Sequence, residues 1–291
     1  MSEAAEAAAL AAALTGDEPV VLADRPDGTV VRIGDAVVKA HGEDTDVAAL
    51  AARVRAAAHP ALAGVLLPPL PPLPPGTVSL LHDGRPATVW PYGAPVDPEA
   101  VPWEAAGALL ARLHAVPPAV PGPLPPAGGP ARAARALARL RAARLPSARA
   151  AVRDAAARIL ATPVPVRSVA LCHGDFHLGQ LVRYPADGGV WRLIDVDDLG
   201  IGDPAWDLAR PAAWFAAGLL PAEDWHRLLH AYQTAAGTGG EDPWPALDGP
   251  ARVLTAQCAA RALVRAAATG RPPEPEDEAL FISCLRIAAL P

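Results

Sequence analysis

Residues 171–211 read LCHGDFHLGQLVRYPADGGVWRLIDVDDLGIGDPAWDLARP. Polar residues of functional type stand here in an irregular loop between apolar runs. Residues 181–183 and 190–194 read as two strands. Pro185-Ala186-Asp187-Gly188-Gly189 joins them with turn-forming residues. A hairpin brings its two ends together, so it places Asp175 and Gln180, ahead of the first strand, close to Asp195, after the second. A carboxylate and an amide oxygen beside another carboxylate form a set of hard oxygen donors suited to Mg2+. A further carboxylate nearby can accept the proton of a hydroxyl nucleophile. Metal-assisted phosphoryl transfer needs that combination, because its catalysis is mostly positioning and charge neutralisation. The spacing of His173, Asp175 and His177 also suits a hydrolytic metal site. Such a site needs more His or Cys ligands at fixed spacing, and the sequence has none.

Upstream, the chain alternates short β-rich runs with turns. Strands are expected over residues 19–23, 29–33 and 36–40, with Arg25-Pro26-Asp27-Gly28 as the first turn. A helix over residues 44–58 starts at an Asp/Thr cap and stops before His59-Pro60. An Ala-rich helix over residues 3–14, ending at Gly16, precedes all of these. Residues 66–76 are almost entirely Leu and Pro and read as an extended connector along a surface. Residues 77–81 and 87–90 flank Asp83-Gly84, a hairpin signal. The order is β-β-β-α-β-β within 92 residues. Beyond Tyr92-Gly93 the chain turns helical, over residues 103–116, 132–145, 148–160, 206–219, 221–237, 250–269 and 276–289. The expected fold class is α+β, with a small antiparallel β-sheet region carrying one helix and a larger, mainly helical region. The expected domains are 1–92 and 93–291.

Composition narrows the function. The 291 residues include 25 Lys plus Arg, of which Lys39 is the single lysine, and Ala supplies roughly a quarter of the chain, well above ordinary usage. This Ala/Pro/Arg bias resembles that of a high-GC genome, which favours Arg wherever Arg serves. A lone lysine therefore marks a position of interest. No apolar run approaches a membrane span. The acidic start MSEAAEAAAL lacks a signal peptide's basic region. Cys172, Cys258 and Cys284 form no CxxC pair, which suits reduced thiols in a cytoplasmic protein. The net charge of −6 and pI of about 5.7 argue against a nucleic-acid partner and suit cationic ligands. The Arg-rich helices read as solvated basic faces.

The motifs His173-Gly174-Asp175-Phe176-His177-Leu178-Gly179-Gln180, Ile194-Asp195 and Gly202-Asp203-Pro204-Ala205-Trp206-Asp207-Leu208-Ala209 together resemble the aminoglycoside phosphotransferase family. Leu110 to His114 and the β-β-β-α-β-β order fit the same family. The resemblance implies a bilobal protein-kinase-like fold, with a nucleotide-binding lobe ending at a hinge near residue 92. It implies ATP (or GTP) and Mg2+ as cofactors. Asp175 becomes the catalytic base. Asp195 becomes the principal Mg2+ ligand, and Gln180 takes a metal position usually held by Asn. Asp207 braces the catalytic loop and His173 packs it. Lys39 contacts the α- and β-phosphates, with Asp46 on the next helix as its acidic partner and Glu43 as the alternative. The nucleotide base lies against Val89 to Tyr92, which includes Trp90 and Tyr92, through main-chain groups. The HGDxHxGQ pattern is similar to that of maltokinase-like and glucosamine-kinase-like relatives. No GxGxxG phosphate loop is present.

The implied activity is phosphoryl transfer to the hydroxyl of a small molecule, an aminoglycoside-like antibiotic or amino sugar, hence antibiotic resistance. The alternatives are a metabolic sugar or amino-alcohol kinase and a non-catalytic nucleotide-binding pseudokinase. Neither nucleic acid nor membrane is an expected partner, and the expected state is a monomer or weak dimer. Among the remaining polar residues, His177 reads as a loop histidine and Asp203 as a turn or helix cap. Asp197 and Asp198 extend the acidic cluster and read as solvated loop carboxylates, with support of the metal ligands from behind as the functional alternative. Trp206, Trp214, Trp225 and Trp244 read as core, with one of them available to line an acceptor pocket. Glu274, Glu276, Asp277 and Glu278 read as a solvated helix start favoured by the helix dipole, with an acidic rim for a polyamine as the functional alternative.

Overall fold

The computed structural model describes residues 18–25, 28–71, 78–81 and 84–290. The helix expected over residues 3–14, the Pro26-Asp27 turn, residues 72–76 of the Leu/Pro connector and Asp83 lie outside the described residues. Packing divides the chain into two compact units that do not follow chain order. The first comprises residues up to Val101, Val116–Pro125 and Leu178–Asp197. The second comprises Pro102–Ala115, Pro126–His177 and Asp198–Pro291.

In the first unit, β1 (Val20–Arg25), β2 (Gly28–Ile33), β3 (Ala36–His41), β4 (Ser79–Leu80) and β5 (Pro86–Pro91) form one antiparallel sheet, ordered β1-β2-β3-β5-β4. Side chains alternate between the faces of a strand. In β2 this buries Thr29, Val31 and Ile33, and Val31, Ile33, Val38, Ala40, Ala87 and Val89 share one apolar cluster. The register sets Lys39 between Val30 of β2 and Thr88 of β5. Between β3 and β4 runs α1 (Val47–Ala57), started by the Asp46 carboxylate, which accepts from Ala49 N at 3.0 Å.

A second sheet holds β6 (Ala94–Pro95), β8 (Leu181–Tyr184) and β9 (Val190–Leu193), in the order β6-β8-β9. The β8–β9 hairpin pairs Leu181 with Leu193 and Tyr184 with Val190. The Leu/Pro connector does not start along the surface. Leu66 and Leu67 are buried, Leu67 N donates to Leu193 O, and Leu193 N donates to Val65 O. The segment begins as a second partner of β9, on the side away from β8, which gives its leucines an apolar place.

In the second unit, α2 (Trp103–Ala115) packs on α6 (Ala222–Ala236), and α3 (Gly129–Ala142), α4 (Ala150–Ala161), α7 (Trp244–Thr269) and α8 (Pro275–Ala288) surround a core that includes Leu140, Val152, Ile159, Leu263 and Phe281. The two short strands β7 (Ala170–Cys172) and β10 (Gly200–Gly202) pair antiparallel, and α5 (Ala205–Ala216) follows β10. The α2–α6 approach requires Gly107. A Cβ there would lie 2.2 Å from Leu228 O.

Two helices begin earlier than residues 132 and 250, where the sequence suggests them. In both, a proline occupies the first turn, Pro130 in α3 and Pro245 in α7. The missing N–H costs nothing there. Pro250 sits inside α7. The acidic run at the start of α8 is engaged by its own chain. Glu274 N donates to Asp277, Arg265 pairs with Asp277, and Arg149 pairs with Glu278 at 2.6 Å. Among the described residues no helix is long and apolar enough to cross a membrane.

Candidate active site

In the first unit the β8–β9 hairpin brings its ends together. Ile194 N donates to Gln180 O at 2.9 Å. The Gln180 amide, only 7% exposed, then lies beside Asp195, with Nε2 3.0 Å from Oδ2. Asp195 has φ of 63°. This left-handed conformation is easier for Asp than for most residues and still costs about 1–3 kcal/mol. Its surroundings hold it there. Lys39 Nζ, from β3, donates to Asp195 Oδ1 at 2.6 Å and stands 2.8 Å from Asp197 Oδ2. The same Asp197 oxygen is 3.3 Å from His41 Nδ1. Beyond it, His41 Nε2 meets Thr88 Oγ1 at 3.0 Å, and Trp90 Nε1 donates to that hydroxyl at 2.9 Å.

The electrostatics follow from this packing. Burial disfavours the ammonium of Lys39, but Asp197 and then Asp195 outweigh it and hold its pKa above the ordinary lysine value. Burial pushes the Asp197 carboxyl up, whereas Lys39 and His41 together bring it well below the usual carboxylate range. Two carboxylates thus flank one ammonium, leaving a net negative cluster that attracts a cation.

Asp46 is not in this cluster. It is exposed and caps α1. A short Asp side chain at an N-cap is committed to the helix backbone. Glu43 is exposed as well, and the carboxylates that meet Lys39 are Asp195 and Asp197. In the expected base-binding strand, Val89 O already accepts from Leu70 N, and Tyr92 N donates to Asp35 O. The Arg32 guanidinium lies 3.5 Å over the Tyr92 ring.

The second unit builds a different cluster around the loop that follows β7. Asp207, on α5, is fully buried. Its Oδ1 accepts from Gly174 N at 2.7 Å, and its Oδ2 accepts from His173 N at 2.6 Å and faces His114 Nε2 at 3.0 Å. Burial would raise the Asp207 pKa, but His114 and these backbone donors hold it below the usual value. Tyr232 OH meets the other His114 nitrogen at 2.9 Å. Gly174 has φ of +85°, and a Cβ there would lie 2.1 Å from Asp198 O. Only glycine fits the turn that presents Asp175. His173 is buried, edge-on to Phe176. Asp203 accepts from Ala205 N and Arg167 N, as a helix cap does.

Asp175 is held by two arginines. Its Oδ1 is 2.8 Å from Arg210 Nη2, and its Oδ2 is 2.8 Å from Arg132 Nη2. The other end of Arg132 reaches Asp198 Oδ2 at 2.8 Å. Asp198 is thus an ion-paired residue of low exposure rather than a solvated loop carboxylate, and Asp197, though one-third exposed, is paired as well. A small cleft of about 10 Å3 beside Asp175 is lined by Arg132, Trp206, Arg210 and Gln257, among others. Arg132, Arg210, His41 and Gln257 were not legible as site residues. Arg210 follows the DLA motif directly, whereas Arg132 stands among 24 arginines and is marked only by its contacts.

The sequence model of the phosphotransferase enzyme family matches residues 15–249. No curated protein matches the chain by sequence. A choline/ethanolamine kinase family protein from Mesorhizobium loti superposes with a TM-score of 0.63 at 21% identity, covering 100% of this chain and 96% of that one. A macrolide 2'-phosphotransferase from Brachybacterium faecium gives 0.52 at 23% identity, with coverage of 94% and 96%. A spectinomycin phosphotransferase solved with ADP and spectinomycin gives 0.61 at 12% identity, with coverage of 97% and 96%. At these identities the likeness establishes the fold, the protein-kinase-like α+β arrangement.

Proposed function

The chain belongs to the phosphotransferase enzyme family, and from that premise we propose that it moves the γ-phosphoryl group of ATP (or GTP) to a hydroxyl of a small molecule. The observation that carries this reading is the Lys39 ammonium held between Asp195 and Asp197, at 2.6 and 2.8 Å. A compact, buried cation poised between carboxylates suits a nucleotide's phosphates, and the surplus negative charge suits a divalent ion. The donor set fits Mg2+, since Asp195 and the amide oxygen of Gln180 are hard oxygen ligands on adjacent hairpin ends. Bound there, Mg2+ would neutralise charge on the phosphates.

The other steps fall to the chain's own groups. Lys39 contacts the α- and β-phosphates. Asp175 orients the acceptor hydroxyl and takes its proton as the new O–P bond forms. The bond between the γ-phosphorus and the β–γ bridging oxygen breaks, and the nucleoside diphosphate leaves. Asp207 fixes the backbone of His173 and Gly174 and so the position of Asp175. Three free thiols support a reducing compartment such as the cytoplasm.

The acceptor expected from the sequence is an aminoglycoside-like antibiotic or an amino sugar, with a metabolic sugar or amino alcohol as the alternative. The similar structures named for macrolide, spectinomycin and choline/ethanolamine substrates support an acceptor in this broad range. The test is acceptor-dependent ADP release with Mg2+, over kanamycin, glucosamine, glucose, choline and ethanolamine. Turnover with any of them supports the reading. Tight ATP binding without ADP release across a wider acceptor panel replaces it with a non-catalytic nucleotide-binding protein.

A further inference from the structure

The first sheet carries a polar row on the face opposite its apolar cluster. In β3, Val38 and Ala40 belong to the cluster, so Lys39 and His41 point the other way. In β5, Ala87 and Val89 belong to the cluster, so Thr88 and Trp90 share the face of Lys39 and His41. Lys39 stands directly across from Thr88. His41 and Thr88 are each only 2% exposed, and buried polar atoms need partners within the protein.

Those partners fix where each hydrogen lies. The Trp90 indole can only donate, and it donates to Thr88 Oγ1 at 2.9 Å. An ionised carboxylate can only accept, so His41 Nδ1, 3.3 Å from Asp197 Oδ2, carries a hydrogen. His41 Nε2 lies 3.0 Å from Thr88 Oγ1 and accepts the hydroxyl's hydrogen. A neutral ring with its hydrogen on Nδ1 therefore satisfies Trp90, Thr88, His41 and Asp197 together. A hydrogen on Nε2 would leave the buried Thr88 hydroxyl without an acceptor. The hydrogen bond at one ring nitrogen thus sets the state of the other.

The chain ends on Lys39. An ammonium has three N–H donors on a flexible stem. Asp195 Oδ1 takes one at 2.6 Å, and Asp197 Oδ2 takes a second at 2.8 Å. With both carboxylates fixed, the third N–H has one direction left to it, open to a phosphate oxygen. Asp195 is fixed by the Gln180 amide at 3.0 Å. Asp197 has its corresponding support in His41.

We infer that His41 is a positioning residue for the nucleotide: as a neutral ring with its hydrogen on Nδ1, braced by Thr88 and Trp90, it holds Asp197 on Lys39 and so aims the third N–H of the ammonium at the phosphates. This rests on the phosphotransferase reading above, in which Lys39 meets those phosphates.

Two measurements on the full chain test this without turnover. Long-range proton–nitrogen correlation NMR of the unliganded protein at pH 7 is expected to show His41 with a hydrogen on Nδ1 and none on Nε2. The His41 signals are assigned by their shift in Thr88→Val, which exchanges the hydroxyl at the ring for a methyl group, so this arm needs no His41 variant to fold. Binding of ATP with Mg2+, without an acceptor, is then measured by titration calorimetry on variants that keep the parent's far-UV circular dichroism. An asparagine amide nitrogen occupies about the place of Nδ1, whereas leucine offers no donor. His41→Leu is expected to weaken binding by about tenfold or more, the scale of one hydrogen bond to a charged group. His41→Asn is expected to recover most of that loss, which a ring serving only as packing would not allow. A hydrogen on Nε2 overturns the proposal. So does a loss smaller than tenfold in folded His41→Leu, or binding by folded His41→Asn no tighter than by His41→Leu. Each of these leaves the phosphotransferase reading standing, whereas a parent protein that binds no ATP overturns both.

Discussion

Asp207→Asn is the substitution whose cost can be worked most fully from the structure. The carboxylate is fully buried and takes backbone N–H groups from His173 at 2.6 Å and Gly174 at 2.7 Å, with His114 Nε2 at 3.0 Å. Short bonds to an ionised acceptor are the strong kind and contribute about 1.5–3 kcal/mol each. An asparagine keeps one oxygen and so can satisfy one of the two backbone donors. Its NH2 group then faces the other donor, which stays buried and unmet. The loss of one charged bond plus that unmet group amounts to about 3–5 kcal/mol. At roughly 2 °C per kcal/mol for a chain of this size, the melting midpoint falls by about 6–10 °C. Thermal unfolding of both proteins by circular dichroism at pH 7 measures this.

The same residue sets a pH dependence of defined sign. Asp207 has a folded-state pKa below the usual value. Its contribution is therefore complete above the unfolded Asp pKa of about 3.9 and is lost as pH falls through the lower, folded value. The gap between the two proteins is expected to hold from pH 7 to about pH 5 and to narrow below about pH 4. A midpoint within 2 °C of the parent at pH 7, or a gap that widens in acid, refutes this reasoning.

Other substitutions probe other parts. Gly107→Val places a Cβ where Leu228 O stands 2.2 Å away. It is expected to lower the urea midpoint by the equivalent of about 1–3 kcal/mol, and an unchanged midpoint contradicts the close α2–α6 approach. Lys39→Met removes the cation that holds the Asp197 carboxyl low. In a carbon-13 NMR titration that carboxyl is expected to move up into or above the ordinary range, while nucleotide-dependent turnover falls. Lys39→Arg keeps the charge but not the compact ammonium and is expected to weaken nucleotide use; unchanged ATP dependence counts against the role assigned to Lys39. Gln257→Leu replaces an amide whose Oε1 has no partner. It is expected to stabilise the protein by about 1 kcal/mol, and a lowered melting midpoint argues that the amide is satisfied.

What could be read from the sequence was local. The β8–β9 hairpin follows from Pro185 to Gly189 between two β-rich runs, and with it the meeting of Gln180 and Asp195. Lys39 stood out because it is the single lysine among 25 basic residues. Its partners did not, since they come from a hairpin about 156 residues away in the chain, whereas the nearest acid of suitable spacing, Asp46, has a local task as a helix cap. Asp197 and Asp198 look alike in the sequence and differ in space, one meeting Lys39 and His41, the other Arg132. Arg132 itself is one of many arginines on what reads as a solvated face, and only tertiary packing turns it toward Asp175. The buried start of the Leu/Pro connector has the same cause, because its partner Leu193 lies far along the chain.

The central claim is that Asp175 and Asp195 carry out phosphoryl transfer. Asp175→Asn and Asp195→Asn test it most directly, assayed by acceptor-dependent ADP release with the best acceptor of the panel. Asn tolerates the left-handed backbone at position 195, so that variant changes the carboxylate without new strain. Each variant is expected to lose roughly a thousandfold or more in turnover while keeping the parent's far-UV circular dichroism. Turnover within tenfold of the parent in either folded variant contradicts the account.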